Sequence, residues 1–595
     1  MSIFGQPTPQ QDGPAKAAGA LRFLTDLRLD GMCHGAVVRC PHGHARVRAV
    51  DASKALCMEG VLAVVTPADA PMRLIPGEHF YDKRISQRPV LFDEPTWSGA
   101  PVAAVVAETA ALAAHAARNV EVDYEVLPTV SSLDEALAER VRAFTNKANA
   151  ALPFGPVRLD RGDVDAAFDG AHHVVEDTYQ TATVQAAAWE PYAVVVEPHE
   201  DGGLTVHKGT PAPFLLREQM AVWLGVAANR VRVVCPPVGG GFGSRMDDLE
   251  YIATLLAKRV KRPVRVVLSR GEGFIAGRVR HGARLTVRSA LDGDGRLLGR
   301  DLTAWYDVGG HLDLGPYVIL RALRPLALYK TDNLRFRGHL LYTNRPVSGA
   351  TRGFGNPQAT FAIESHNARL CNDLGIDLGE FRRRHLLRAN ETNVSLGVVD
   401  TATGVFKTGT GNVSSCELQA CIERVTEALA SEHSVRDGEH RRGVGTACGM
   451  HTTGKGRKEV STASVEWLAD DRIVVSSGAP DQGGTGVATS LAMIAGDVFN
   501  VPISRIEVRL ADTERELQDS GAHASGRTYV AGEAVLHAAE QVKARLDQGD
   551  PLPIAEQYRH KPTSNAPPFC CCGAVVEIDV STGICKVTRL VVAVD

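Results

Sequence analysis

One pattern of apolar and polar positions recurs along the chain: a β-branched run, a glycine-rich loop and an amphipathic helix. In the first copy, RVRVV at 230–234 predicts a strand and GGGFG at 239–243 a loop. Leu249, Ile252 and Leu256 then fall on one face of a predicted helix. Similar copies occupy 349–374 and 472–499, and a looser one occupies 520–546.

Polar residues at the expected helix starts fit this pattern. Asp247 and Asp248 are expected in the first turn of the first helix, where the helix dipole favours acids. Asn356 is predicted as the N-cap of the second helix, with Pro357 as its first residue. Each copy therefore sets a helix N-terminus behind a loop whose glycines allow close approach, an arrangement that binds anions.

A glycine run between a strand and a helix is, taken singly, more readily a tight connection than a ligand site. Four such copies in one chain instead favour a large, phosphate-bearing cofactor held between domains. None of the loops matches the spacing of a nucleotide-binding P-loop or of a dinucleotide-binding fold, so a plain nucleotide-binding enzyme is disfavoured. No G-x-S-x-G or H-E-x-x-H motif supports hydrolase chemistry.

The patterning divides the chain into three regions. Residues 1–135 alternate short β-like runs with an alanine-rich helical stretch, as in a small α+β domain. Residues 150–400 and 410–595 share a mixed texture of strands and helices, and the Gly-, Thr- and Ser-rich stretch at 397–415 marks the boundary between them. A chain of 595 residues is long enough for about four folding units.

Composition narrows the classes of partner. The 65 basic and 69 acidic residues are mixed throughout, which gives no electrostatic basis for nucleic-acid binding. No secretory signal and no membrane-spanning run is visible, so we expect a soluble, cytoplasmic protein. The adjacent Cys570, Cys571 and Cys572 cannot all face one ion from a strand, and no cysteine spacing fits an iron–sulfur cluster.

Two arginines flank the first two glycine loops. Arg245 and Arg352 could each hold a phosphate or a pterin edge through the planar guanidinium group. The alternative for either residue is an ordinary surface arginine.

Three motifs, GGGFGSR, RPVSGATRGFGNPQ and GAHASGRT, carry a resemblance to a known family. The chain resembles the large, molybdopterin-binding subunit of the xanthine dehydrogenase and aldehyde oxidase family of molybdenum hydroxylases, from near Gly13 to the last residue. The resemblance implies an α+β protein with a hammerhead-like domain followed by two large mixed molybdopterin-binding domains, the last incomplete. It also implies a molybdenum–molybdopterin cofactor, with the cytosine dinucleotide form as one option, and [2Fe–2S] and FAD centres on partner chains.

The same resemblance assigns residues to the site. Cofactor contacts are expected at Gly241, Phe242, Gly243, Arg352, Gly484, Thr485, Ala524 and Ser525, of which Phe242, Arg352 and Ala524 are expected nearest the molybdenum. Substrate contacts are expected at Met246, Arg321 and Phe354.

Three positions depart from the family pattern. Pro211 stands where a glutamine is usual, and Thr485 also replaces a glutamine. Met246 replaces a glutamate of the purine-oxidising enzymes. The expected substrate is therefore an aldehyde or an aromatic N-heterocycle, oxidised with water as the oxygen source, rather than a purine.

The general base of the family is a glutamate in a G-x-G-E loop, and no such loop occurs in this sequence. CKVTRLVVAVD at 585–595 lies in a strand pattern at the point where family chains continue toward that loop. The catalytic glutamate is therefore expected on a partner chain, a C-terminal molybdopterin-domain fragment that completes a split subunit. The alternative is a non-catalytic, truncated homologue that keeps the fold without turnover.

Overall fold

The protein is described by a computed structural model covering residues 3–70, 74–76, 87–409, 411–453, 459–561 and 567–595. Helices and strands alternate along the whole chain, which confirms the α+β expectation. The α-helices are α1 Gly13–Ala17, α2 Ser53–Leu56, α3 Ala110–Ala117, α4 Leu133–Ala138, α5 Val164–Asp169, α6 Pro213–Leu224, α7 Leu249–Val260, α8 Arg270–Ala276, α9 Gly315–Ile319, α10 Leu323–Leu328, α11 Asn356–Leu374, α12 Leu378–His385, α13 Leu418–Ala428, α14 Val487–Phe499 and α15 Arg527–Asp547.

The strands build one seven-stranded sheet, one five-stranded sheet, two four-stranded sheets and three small pairs within the described residues. In chain order they are β1 Cys33–Arg39, β2 Ala45–Asp51, β3 Val61–Val65, β4 Pro101–Ala107, β5 Glu121–Val126, β6 Val157–Arg161, β7 His173–Thr181, β8 Val184–Gln185, β9 Ala193–Pro198, β10 Leu204–His207, β11 Val231–Val234, β12 Val264–Val267, β13 Val279–Arg280, β14 Ala283–Leu291, β15 Leu297–Gly309, β16 Asn333–Tyr342, β17 Gly397–Val399, β18 Phe406–Thr408, β19 Val435–Asp437, β20 His440–Met450, β21 Ser461–Trp467, β22 Ile473–Ser477, β23 Ile506–Leu510, β24 Ile554–His560, β25 Phe569–Asp579 and β26 Cys585–Val594.

The seven-stranded sheet combines strands from two distant parts of the sequence. Its order is β11-β10-β9-β12-β1-β4-β3. β1 runs parallel to β12, with Cys33 opposite Val264, and antiparallel to β4. Helices α6 and α7 cover it with buried side chains such as Trp223 and Leu256. The first glycine-loop unit, β11 to α7, is therefore anchored in this sheet.

The other large sheets carry the remaining units. The five-stranded sheet has the order β6-β16-β15-β14-β7 and packs against α11, whose buried residues include Ile363 and Leu370. The four-stranded sheet β23-β22-β21-β24 packs against α14 and α15 through Leu491, Val535 and Ala538, among others. The second four-stranded sheet, β19-β20-β25-β26, holds Cys570 to Cys572 within β25, with Cys571 buried and its two neighbours partly buried.

The helix of every predicted strand–loop–helix unit is present, but two of these helices begin at a different residue than predicted. Helix α7 begins at Leu249, so Asp247 and Asp248 precede it. Helix α11 begins at Asn356 itself, after Gly355 in a left-handed conformation with φ 92°. The N-cap prediction for Asn356 is wrong because its side-chain amide donates to the carbonyl oxygen of Met450, 2.9 Å away.

Within the part of the chain that is described, none of the helices is both long enough and apolar enough to cross a bilayer.

Candidate functional site

The first glycine loop, residues 239–245, connects the end of β11 to α7. Phe242 has a left-handed backbone, φ 50°, and its side chain is exposed. Gly243 lies against the next glycine loop, since a Cβ there would lie 3.2 Å from the Cα of Thr351. A Cβ at this position would therefore crowd the neighbouring backbone.

Arg245 fixes the shape of this loop from within. Its guanidinium group is buried and donates to the carbonyl oxygens of Gly240 at 3.0 Å, Pro191 at 2.8 Å and Glu190 at 2.8 Å. The Glu190 carboxylate in turn accepts from the N–H of Gly239 at 2.8 Å. Arg245 is thus neither a surface residue nor free to hold a phosphate, and both sequence-based alternatives for it are wrong.

The second glycine loop, residues 349–355, is bonded directly to the first. The N–H of Arg352 donates to the carbonyl oxygen of Phe242 at 2.8 Å, and the Arg352 side chain is exposed. Phe354 also has a left-handed backbone, φ 53°. The guanidinium carbon of Arg321 lies 6.0 Å from the centre of the Phe354 ring, within the range of a cation–π contact.

The third glycine loop, residues 481–486, packs its backbone against the first. A Cβ on Gly483, whose φ is 82°, would lie 2.1 Å from the carbonyl oxygen of Val238. Only a glycine therefore fits at this crossing. Asp481 shapes the turn by accepting from the N–H of Gly483 at 2.8 Å and from the Thr485 hydroxyl at 2.6 Å. Gly484 and Thr485 are exposed.

Gln482 is a residue that the sequence analysis missed. Its side-chain carbonyl oxygen would lie 2.6 Å from a Cβ on Gly241, and this oxygen is buried without a hydrogen-bond partner among the described residues. An amide therefore faces the first glycine loop, although Pro211 and Thr485 both stand where the family pattern has a glutamine. No sequence signal pointed to it, because the amide comes from a neighbouring position.

The fourth glycine loop, residues 519–526, carries Ala524 and Ser525 with φ 47° and 54°. Its Ala522 N–H donates to the carbonyl oxygen of Pro211 at 2.6 Å. Pro211 follows β10, the direct neighbour of β11 in the sheet. The fourth loop therefore reaches the same edge of the seven-stranded sheet as the first loop.

A network of buried charges lies behind the first loop. The Lys208 ammonium group lies 2.8 Å from the Asp247 carboxylate and also contacts Glu250. Burial lowers the pKa of Lys208, but the two carboxylates raise it by more, so the group stays charged. Asp248 pairs with Arg88 and Arg278.

The two arginines determine the charge state of Asp248. Burial alone raises the pKa of its carboxyl group, but Arg88 and Arg278 lower it by more. The pKa of Asp248 therefore lies well below its ordinary value. Met246, which sits between this network and the loop, lines a small cavity together with Lys208, Thr210 and Arg245.

His451 is a second residue that the sequence analysis missed. Burial, together with the charges of Arg321 and Arg324, lowers the pKa of His451 to about 4. Its Nδ1 atom is buried without a hydrogen-bond partner among the described residues. A neutral imidazole therefore lies near Arg321, the residue that also faces the ring of Phe354.

The donor groups around the loops fit a preassembled cofactor better than a bare ion. The loops offer backbone N–H groups, the Thr485 hydroxyl oxygen as an acceptor, and the Gln482 side-chain oxygen that has no partner among the described residues. Among the described residues, the one group of three His, Cys, Asp or Glu side chains able to hold a metal lies elsewhere, on α15 and β24. The fold and the loops thus define the class of protein as cofactor-binding.

Comparison with known proteins agrees with this class. Residues 18–128 match the aldehyde oxidase and xanthine dehydrogenase a/b hammerhead domain. Residues 145–386 and 420–550 each match a molybdopterin cofactor-binding domain. The xanthine dehydrogenase molybdenum-binding subunit of Escherichia coli is 30% identical over 90% of this chain and 71% of that protein.

Two further proteins extend the comparison. The nicotinate dehydrogenase large molybdopterin subunit of Eubacterium barkeri is 32% identical over 72% of this chain and 98% of that protein. The aldehyde oxidoreductase from Desulfovibrio gigas shares the fold, with a TM-score of 0.88 and 24% identity over 100% of this chain and 68% of that one. The chain belongs to the molybdopterin-binding subunits of the xanthine dehydrogenase and aldehyde oxidase family of molybdenum oxidoreductases.

Proposed function

We propose that this chain is the cofactor-holding part of a molybdenum hydroxylase that oxidises an aldehyde or an aromatic N-heterocycle with water as the oxygen source. One observation carries the proposal. Phe242, Phe354, Ala524 and Ser525, from three separate loops, all adopt left-handed backbone conformations that are unfavourable for residues with a Cβ. Such strain persists where the surroundings enforce it, and it clusters at ligand and active sites.

Each loop has a role in this proposal. Gly241, Phe242 and Gly243 offer close backbone approach to the cofactor, while Gly484, Thr485, Ala524 and Ser525 offer N–H groups, and Ser525 also its hydroxyl, to the pterin and phosphate. Phe242, Arg352 and Ala524 would lie nearest the metal of the bound cofactor. Gln482 supplies the amide that Pro211 and Thr485 lack. The molybdenum cofactor, when bound, provides the oxygen-transfer and two-electron redox chemistry.

The substrate end is proposed at Phe354, Arg321 and Met246, with His451 added. An aromatic substrate can stack on the Phe354 ring. Arg321 lies beside that phenylalanine ring, and its positive charge favours a substrate that is anionic or carries hydrogen-bond acceptors. A neutral His451 can donate or accept a hydrogen bond without adding charge. Nicotinate, named in the Eubacterium barkeri relative, is an anionic N-heterocycle of this kind.

The general base is proposed to come from residues outside this sequence. Glu190 is the glutamate bonded to the first loop, but its side chain is buried and its Oε2 accepts from the N–H of Gly239 and from Arg245, so we assign it to the support of the loop. Strand β26 is at the edge of its sheet, and its side chains Val587, Leu590 and Val592 are exposed. The open edge could pair with a further strand, which would belong to a segment that also covers these apolar side chains. The Eubacterium barkeri relative, which matches 72% of this chain over 98% of its own length, is named as a large molybdopterin subunit and supports the role of a subunit in a complex.

Electrons are proposed to leave through a [2Fe–2S] subunit and an FAD subunit, with small-molecule substrate as the remaining partner. The cytosine dinucleotide form of the pterin and a cytoplasmic location also belong to this proposal. Free thiols at the twelve cysteines suit a reducing compartment.

The test is to purify the full complex from a molybdenum-replete host and to measure molybdenum and pterin per chain. We expect stoichiometric amounts of both, and a loss of at least half in Arg352→Met. Arg472→Met, at an exposed arginine beyond the opposite end of β22 from the third loop, should leave both contents unchanged. A complex without molybdenum and without pterin would instead support a non-catalytic homologue and overturn the proposal.

A further inference from the structure

Glu533, His537 and His560 form a cluster of metal-binding side chains apart from the glycine loops. Glu533 and His537 are four residues apart on α15, so they share one helix face, and His560 ends β24 beside that helix. One ligand atom from each of the three lies within 4.8 Å of the other two. From the start of α15 at Arg527, the helical rise puts His537 about 15 Å away from the fourth glycine loop.

The sequence pattern of β24 explains why His560 faces the helix. Even-numbered residues of this strand point toward α15: Ile554 is buried, Glu556 accepts from Arg545, and the Tyr558 ring lies 4.7 Å from the His537 ring. His560 continues that alternation. Its ring stacks toward His537 with 6.5 Å between the ring centres.

The two ring nitrogens of His537 have different carboxylate neighbours, as in many metal sites. Its Nδ1 atom lies 3.1 Å from a Glu540 carboxylate oxygen, while its Nε2 atom lies 3.6 Å from Glu533. A carboxylate on one ring nitrogen fixes the tautomer and turns the other nitrogen toward a metal. Glu540 thus orients His537, and Glu533 shares the coordinating side.

His560 supplies an independent observation. Its Nε2 atom is buried and has no hydrogen-bond partner among the described residues. A buried ring nitrogen without a partner loses its interaction with water and gains nothing in return. A metal ion that binds His560 through Nε2, together with His537 and Glu533, would satisfy this atom.

We propose that Glu533, His537 and His560 bind a divalent transition-metal ion, with Zn²⁺ as the best fit. Two imidazole nitrogens and one carboxylate oxygen are a set that zinc accepts, with water in the fourth tetrahedral position. Ligands at about 2.0–2.2 Å from the ion require the three side chains to close slightly from their present separation. The site pins α15 to β24, and it does not depend on the proposed molybdenum chemistry.

The test uses the full chain, stripped with a chelator and then titrated with Zn²⁺ by calorimetry. We expect one tight site per chain, with affinity at least tenfold weaker in His537→Gln and in His560→Gln. Glu540→Gln removes only the orienting carboxylate and should weaken binding by about 10-fold, no more than the loss of either histidine. His172→Gln, in an exposed histidine pair on another sheet, should change nothing.

Co²⁺ substitution and thermal melting separate binding from folding. The variants should melt like the parent chain without Zn²⁺, and only the parent chain should gain melting temperature when Zn²⁺ is added. Bound Co²⁺ should show a visible spectrum without thiolate charge-transfer bands. Absence of Zn²⁺ binding by the parent chain, unchanged affinity in both histidine variants, or a thiolate band from the cysteines would each overturn the proposal.

Discussion

The first and third glycine loops look alike in sequence but are held in different ways. In the first, the buried Arg245 donates to three carbonyl oxygens and Glu190 accepts from the loop. In the third, Asp481 makes a short local turn and the outer residues are exposed. The first loop is therefore preformed by long-range contacts, whereas the third takes its position from contact with the first.

This difference teaches that glycine content says little about rigidity. A glycine loop becomes a fixed surface when buried side chains satisfy its backbone, and it stays adaptable when they do not. We expect the backbone of the first loop to be more rigid than the exposed residues of the third loop.

The largest expected effect follows from Arg245→Met. Removing the guanidinium group leaves the buried carbonyl oxygens without this donor and the Glu190 carboxylate with only the Gly239 N–H, which should cost about 3–5 kcal/mol of unfolding free energy. Urea denaturation measures this loss. The control is Arg270→Met, because Arg270 also donates to two carbonyl oxygens, of Ala188 and Trp189, but is exposed. Equal costs in the two variants would show that the first loop is not held from within.

The second-largest expected loss of stability is at the contact between the first and third glycine loops. Gly483→Ala should destabilise the protein by about 2–4 kcal/mol, because the new Cβ meets the Val238 carbonyl oxygen and the φ is positive. Gly484→Ala has the same φ problem but nothing within 4 Å of its Cβ, so about 1 kcal/mol is expected. Thermal unfolding of the pair checks the difference. Similar melting temperatures would mean that the loops do not depend on this contact.

A third prediction uses pH to test the support behind the first loop. Arg88 and Arg278 hold the pKa of Asp248 well below its ordinary value of 3.8. The stabilisation is therefore present above about pH 4 and is lost as the pH falls below it. Asp248→Asn should lose about 2 kcal/mol of unfolding free energy at pH 7, and the difference from the parent chain should shrink toward pH 3.

Urea midpoints measured between pH 3 and 7 follow this difference directly. Asp470→Asn, at an exposed carboxylate paired with Arg472, should have little effect over the same range. A constant gap between Asp248→Asn and the parent chain at all pH values would contradict the depressed pKa.

The smallest expected effect is in the third loop. Asp481→Ala removes two hydrogen bonds from an exposed turn and should cost about 1 kcal/mol. Asp481→Asn, which keeps an acceptor, should cost less. Chemical denaturation gives both values. A loss as large as that of Arg245→Met would remove the contrast between the loops.

The sequence sufficed to predict the recurring units because their information is local. The strand at 231–234, the helix with Leu249 and Ile252, and the helix with Leu491 all follow from periodicity and turn residues. The misplaced helix start at Asn356 has a non-local cause. Its amide binds the backbone of Met450, 94 residues away, and no local pattern reports that contact.

The same limit applies to the candidate site. Arg245 was expected at an anion or on the surface, yet its partners Glu190 and Pro191 lie more than fifty residues earlier in the chain. Gln482 and His451 were missed because what singles them out is a buried atom without a partner, which only packing creates. Met246 could be named from the sequence, but its cavity with Lys208 and Thr210 could not.

The seven-stranded sheet has a consequence for how this protein could be divided. β1 lies between β4 of its own region and β12, so a cut near residue 130 would expose an open strand edge on both pieces. The hammerhead segment matches a family model as a separate domain, but the open edge of its strand β1 is paired only by β12 of the region that follows. During synthesis, this edge of β1 therefore stays unpaired until β12 has left the ribosome.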